Sequence, residues 1–250
     1  MMKKFFFTII IIVLFASKTW SLTFMGPTTS YLEAGQSGIG FNYSNSEMDI
    51  RFEGYGLNAA IGMEVNAYFA KLLFGISDGS EISLHFGISD IEEDVQNGFS
   101  SSKEFAWGLG AKMKFGETDP LEWGAAFRLT SFTGDDTDMV GPYLVKGEFD
   151  VVEIQVVLGP TYRIDRLCVY GGPMLHFIQG DLDGGGALSG YSFDIEQESE
   201  FGGYIGLGLQ FAKNISLNVE YQSTGDAHAV GFSLLSKFGD LPKRITPTKE

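Results

Sequence analysis

FGGYIGLGLQFAKNISLNVEYQSTGDAHAVGFSLLSKF, residues 201–238, packs three alternating rows into one stretch of chain. Phe201, Gly203, Ile205, Leu207, Leu209 and Phe211 form the first row. Ile215, Leu217, Val219 and Tyr221 form the second, and Val230, Phe232, Leu234 and Phe238 the third. A period of two sends successive side chains to opposite faces of a strand, so each row is one apolar face. Only Ala212-Lys213-Asn214 separates the first two rows, whereas the more polar Ser223 to Ala227 separates the second from the third.

The same pattern runs back toward residue 35. Ile82, Leu84, Phe86 and Ile88 alternate with Ser83, His85, Gly87 and Ser89. Phe105, Trp107, Leu109, Ala111, Met113 and Phe115 make another row, and Leu121, Trp123, Ala125, Phe127 and Leu129 a further one. Short connections at Ser77-Asp78-Gly79, Gly116 to Pro120, Ile164-Asp165-Arg166 and Ala212-Lys213-Asn214 take turns with longer ones. The longer ones are Ser44 to Gly56, Ser89 to Ser102, Thr133 to Lys146, Gln179 to Glu200 and Ser223 to Ala227. The strands between them are predicted at 33–44, 58–76, 80–89, 103–116, 121–132, 148–163, 167–178, 201–212, 215–222 and 228–238. About ten strands, with both ends on the short-turn side, match the asymmetry of outer-membrane barrels. Eight and twelve remain alternatives, because Met48 to Tyr55 and Leu188 to Ile195 either extend neighbouring strands or add to the count.

The beginning of the chain places it outside the cytoplasm. Lys3 and Lys4 precede an apolar run from Phe5 to Ala16, and Thr19 and Ser21 suit the positions before a cut. This is the layout of a cleavable signal peptide. Residues 1–21 are read as that peptide, 22–239 as one barrel domain and 240–250 as a polar periplasmic tail. The chain has 17 basic and 32 acidic residues, a net charge of -15; removing Lys3, Lys4 and Lys18 takes it to -18. Such acidity argues against a nucleic-acid partner, whose phosphates need a basic surface. Cys168 stands alone, so no intramolecular disulfide exists. After the first stretch, the most apolar segment, Ala67 to Ile76, is broken by Lys71 and too short for a spanning helix. A mature chain in a membrane must therefore close as a barrel.

A water-soluble sandwich would also carry one apolar face per strand. Aromatic residues decide for lipid, because they gather in two bands. Phe74, Phe115, Trp123, Tyr162, Tyr170, Phe211 and Phe238 lie near short turns. Phe86, Phe105, Phe132, Phe177, Phe201, Tyr221 and Phe232 lie toward the long loops. Two girdles suit rings that are wet on one side and dry on the other. The opposite faces hold small residues, among them Gly108, Gly110, Gly124, Ala126, Gly206 and Gly208, as a narrow curved interior requires. The expected fold is an all-β, antiparallel, up-and-down transmembrane β-barrel in the cell outer membrane of a Gram-negative cell.

The run Gly202 to Phe211, the turn Lys213-Asn214 and Ile215 to Tyr221 resemble a late hairpin of small bacterial outer-membrane barrels of the OmpA and OmpX type. Ala229 to Phe238 resembles their last strand, which implies assembly by the barrel-assembly machinery through that strand. The resemblance is one of pattern. Gly239 to Glu250 departs from it by continuing past the terminal aromatic, and nothing resembles a peptidoglycan-binding domain.

Candidate lumen charges are Glu64, Lys112, Lys114, Arg128, Glu153 and Glu220, expected to pair with one another because unpaired buried ions are costly. An interior of about ten strands is expected to be filled, with a narrow channel for small solutes as the alternative. Acidic clusters at Glu92 to Asp94, Asp135 to Asp138, Asp181 and Asp183, and Glu196 to Glu200 read as a solvated rim. Asp181-Leu182-Asp183-Gly184 begins like a calcium loop without the closing glutamate. Asp226 and His228 are similar to the rim pair of omptin-type proteases, with Asp90 and Glu92 as the nearest acidic stand-ins. No phosphate loop or metal spacing appears, so neither a cofactor nor catalysis is expected. The predicted role is structural or surface-interactive in the envelope, with outer-membrane lipid as the surroundings and a monomer as the unit.

Overall fold

A computed structural model describes residues 22–54, 57–93, 103–140, 143–186, 192–197 and 200–239. The segment read as a signal peptide, the residues from 240 onward and part of the acidic clusters lie outside these residues. Among them are eleven strands: β1 (Ser37–Gly54), β2 (Leu57–Ser77), β3 (Ser80–Glu93), β4 (Glu104–Thr118), β5 (Leu121–Val140), β6 (Tyr143–Ile164), β7 (Leu167–Gly186), β8 (Ser192–Gln197), β9 (Phe201–Ala212), β10 (Ile215–Thr224) and β11 (Ala227–Phe238).

Ten of them close a ring. β1 through β7 pair in chain order, β7 pairs with β9, and β9, β10 and β11 follow in order. β11 then pairs antiparallel with β1 from Ser37↔Phe238 to Met48↔Ala227, which seals the barrel and leaves no free edge. β8 stands outside this ring, at the long-loop end. It joins β7 through Asp181↔Asp194 and β1 through Ile50↔Gln197, bridging these two strands. Met48 to Gly54 therefore extends β1, while the 188–195 segment contributes a separate short strand. β1 begins at Ser37 rather than at residue 33, because residues 22–36 leave the wall and enter the interior.

The burial pattern is inverted relative to a water-soluble protein. Outward rows are apolar and uncovered: Trp107 is 41% exposed, Trp123 43%, Phe127 41% and Phe201 66%. Inward positions include Glu153 at 1%, Glu220 at 2%, Arg128 at 3% and His176 at 0%. Only a hydrocarbon surrounding makes that arrangement favourable, since each apolar square ångström kept from water contributes about 25 cal/mol. Glycines permit the tight interior. A Cβ at Gly206 would lie 2.2 Å from the Tyr170 ring, so only glycine lets that ring pack against β9.

Candidate functional site

The interior is occupied by the chain itself. Leu22, Thr23, Phe24, Met25, Thr28, Thr29 and Leu32 are all buried. Backbone bonds in both directions pin the segment at the periplasmic end: Ser30 N–H donates to the Gly79 carbonyl at 3.0 Å and Gly35 N–H to the Gly75 carbonyl at 3.0 Å, while Gly79 N–H donates to the Leu32 carbonyl at 3.3 Å and Gly75 N–H to the Gln36 carbonyl at 2.9 Å. From there it rises to Thr23, whose backbone N–H donates to Glu153 Oε1 at 3.1 Å.

The wall reads this segment through its backbone. Glu220 accepts the Met25 N–H at 2.9 Å and the Gly26 N–H at 2.8 Å. Arg128 donates to the Phe24 carbonyl, and Gln222 to the Thr23 carbonyl at 3.0 Å. Backbone groups in an irregular segment need partners when water is scarce, and these three side chains supply them. Hydroxyl groups do the rest. Thr23 Oγ1 donates to Glu153 Oε2 at 2.7 Å, Thr28 Oγ1 to the Gly159 carbonyl at 2.9 Å, and Thr29 Oγ1 to Glu122 Oε2 at 2.8 Å. Ser30 bonds Glu81, and the Tyr31 hydroxyl lies 2.8 Å from Cys168 Sγ under the Arg163 guanidinium, which sits 4.3 Å from the Tyr31 ring centre.

Of the six candidate lumen charges, Arg128, Glu153 and Glu220 are fully inside, Lys112 is largely so, and Lys114 lies toward the periplasmic mouth. The expected mutual pairing is replaced by other partners. Arg128 and Glu220 hold the inserted segment; Glu153 holds it too and bonds His176 Nε2 at 3.0 Å. Lys112 lies 4.0 Å from Glu81, and Lys114 2.8 Å from Glu117. Glu64 must be corrected: it lies on the outer face at the external end of β2, accepting from Asn45 Nδ2 at 2.7 Å. The reason is an apolar cluster inside. Met63, Val65 and Phe69 turn inward to pack with Leu22, Met48, Phe132 and Ile195, so polarity alternation reverses along that half of β2. The same strand brings Lys71, the charge that interrupts the apolar run Ala67 to Ile76, into the interior. Gln155, Gln222 and Glu81 line the interior as well, and His85 does so from the polar row of β3; each alternates with an apolar outward row, which is the signal that places it.

At the rim, Asp226 Oδ1 accepts from Thr224 Oγ1 at 2.8 Å and from Gln197 at 3.1 Å, while His228 Nδ1 lies 2.8 Å from Ser223 Oγ. Asp226 thus tethers β8 to the β10–β11 turn. Asp90 lies 3.9 Å from Lys103. Acidic residues meet in register on the outer face above the membrane: Asp150↔Asp181↔Asp194 and Asp135↔Glu148↔Asp183. Among the described residues no group of three or more His, Cys, Asp or Glu is arranged to hold a metal ion.

No curated protein matches the sequence. Among solved structures, the chain is similar to the translocator domain of autotransporter NalP from Neisseria meningitidis. There the TM-score is 0.52 and identity 11%, over 84% of this chain and 91% of that one. It also aligns with an outer membrane channel from Pseudomonas putida F1 at TM-score 0.46 and 12% identity, over 87% and 100% of the two chains. The outer membrane protease OmpT from Escherichia coli gives 0.47 and 8%, over 87% and 97%. At such identities the likeness concerns the fold alone. The model of the outer membrane protein beta-barrel domain matches residues 75–238. With its lipid-facing apolar rows, closed ring and filled polar interior, the chain is a protein of the cell outer membrane and belongs to the outer membrane protein beta-barrel domain family.

Proposed function

We propose that this barrel is a closed, non-catalytic component of the envelope, anchoring an acidic external surface in the outer membrane. The observation that carries the reading is the inserted segment Leu22 to Gln36, whose backbone is bonded by Glu153, Glu220, Arg128 and Gln222 from several sides of the wall. A lumen near ten strands is narrow already. Filled by a chain segment, it offers no continuous aqueous path. The outer rows Asp150, Asp181, Asp194 and Asp135, Glu148, Asp183 then form the part available for contact, favouring cationic partners and repelling anionic ones.

The test is conductance of the purified full chain in a planar bilayer. The expected record is flat at potentials that open known pores. Discrete steps from the intact protein would refute the reading and restore the narrow channel for small solutes.

A further inference from the structure

Four nitrogen-bearing side chains of the wall meet around one small space in the interior. Lys71 of β2 pairs in register with His85 of β3, Ser83 with Gly110 of β4, and Gly110 with Arg128 of β5. One step toward the periplasm, Glu81 pairs with Lys112. Gly110 offers no side chain, and Phe24 and Met25 of the inserted segment cover the space from the middle of the barrel. A void of about 10 Å³ is left between Lys71, His85, Lys112 and Arg128. That is room for a single water or a monatomic ion.

The polar atoms around the void are short of acceptors. Arg128 spends Nη1 on the Phe24 carbonyl and Nε on Thr130 Oγ1 at 3.2 Å, while its Nη2 has no partner. His85 Nε2 lies 2.9 Å from Ser83 Oγ, and its Nδ1 is unpartnered. Lys71 is only 3% exposed, yet among the described residues it makes no ion pair within 4.0 Å. The nearby carboxylates are engaged. Glu81 bonds Ser30 and stands 4.0 Å from Lys112, and Glu153 takes Thr23 and His176. Glu220 takes Met25, Gly26 and Gln222. None of the three lines the void.

We propose that this void binds one halide-sized monovalent anion, such as chloride, held by Lys71, Arg128, Lys112 and His85. A buried ammonium and guanidinium without a counter-charge are costly. Water would bring no charge, and its own two hydrogens would need acceptors that these side chains do not offer. A monatomic anion accepts from every side and supplies the charge as well. Sulfate and phosphate are too large for the space. The site needs Phe24 and Met25 in place but not a sealed lumen, so a conducting barrel would leave it standing.

The full chain is crystallised in bromide, and its heat-shifted gel mobility is followed as chloride replaces gluconate at constant ionic strength. An anomalous bromine peak is expected against Arg128 Nη2 and Lys71. The midpoint of the heat shift should rise by several degrees with chloride, since a ligand of the folded state stabilises it. Lys71→Met removes a charge, and Ala126→Val puts two methyl groups at the edge of the void with every charge kept; each should lose the chloride response. Lys237→Met removes a cation bonded elsewhere, to the Tyr31 carbonyl, and should keep it. Ala126→Val carries the comparison where Lys71→Met fails to close. A void without bromine overturns the site, and so does an equal chloride response in the wild type and the variants at Lys71 and Ala126.

Discussion

Glu220→Ala isolates the force that keeps the inserted segment in place. The carboxylate accepts the backbone N–H groups of Met25 and Gly26, and the Gln222 amide at 2.6 Å. Hydrogen bonds to a charged group contribute about 1.5–3 kcal/mol each, so losing the two backbone bonds removes up to roughly 3–6 kcal/mol. Water entering the gap returns part of this, leaving about 3 kcal/mol, or roughly a hundredfold in the population of the withdrawn segment. The wall is spared, because β10 keeps its ladders to β9 and β11. The reporter is already present. Cys168, the lone cysteine, is buried behind the Tyr31 hydroxyl at 2.8 Å and becomes reachable when the segment leaves. Maleimide labelling in excess reagent follows the open population when reclosure is fast. The variant is expected to label roughly a hundredfold faster than the wild type at equal heat-shifted mobility. An unchanged rate in a closed barrel would refute the assignment of Glu220 as the anchor.

Two further outcomes follow from the wall and the rim. Gly206→Val drives a side chain into Tyr170 at 2.2 Å, and overpacking of this kind costs about 1–3 kcal/mol; the urea midpoint should fall, with Tyr170→Ala in the same chain recovering part of the loss. Asp181→Lys faces Asp150 and Asp194 with an opposite charge, and exchanging two repulsive cross-strand pairs for attractive ones should raise stability by about 0.5–2 kcal/mol at low salt, an effect that 1 M salt erases.

The wall was legible because lipid enforces a simple rule on each strand. Trp107, Leu109, Ala111 and Met113 had to face one way, and the turns at 77–79, 116–120, 164–166 and 212–214 stand where the alternation resets. Where the interior changes character, the rule fails. Met63, Val65 and Phe69 point inward to meet Leu22, so Glu64 was assigned to the wrong face and Lys71 was missed. The inserted segment had no periodic signal, since it forms no strand and its partners are spread over the wall. Its traces were compositional: Thr28-Thr29-Ser30, a hydroxyl run suited to an interior lined with Glu81, Glu122 and Glu153. Pairing of interior charges was expected from their mutual cost, but a third party with free N–H and C=O groups satisfies Glu220 and Arg128 instead.

The placement of that segment follows from how the ring closes. It runs directly into β1, and β1 is joined by β11 only when the last residues of the chain arrive, Ser37 meeting Phe238. The contacts from Met25 and Gly26 to Glu220 span 195 and 194 residues, nearly the same separation. Loop-closure entropy grows only slowly with length, so once β11 docks on β1, seating the segment against β10 adds little further entropic cost. The reverse also holds. Bonds from Glu220, Gln222 and Lys237 on β10 and β11 to residues 23–31 tie the closing strands to the chain just before β1. The inserted segment therefore stabilises the β1–β11 junction as well as filling the lumen, and a barrel lacking it should lose closure at this junction first.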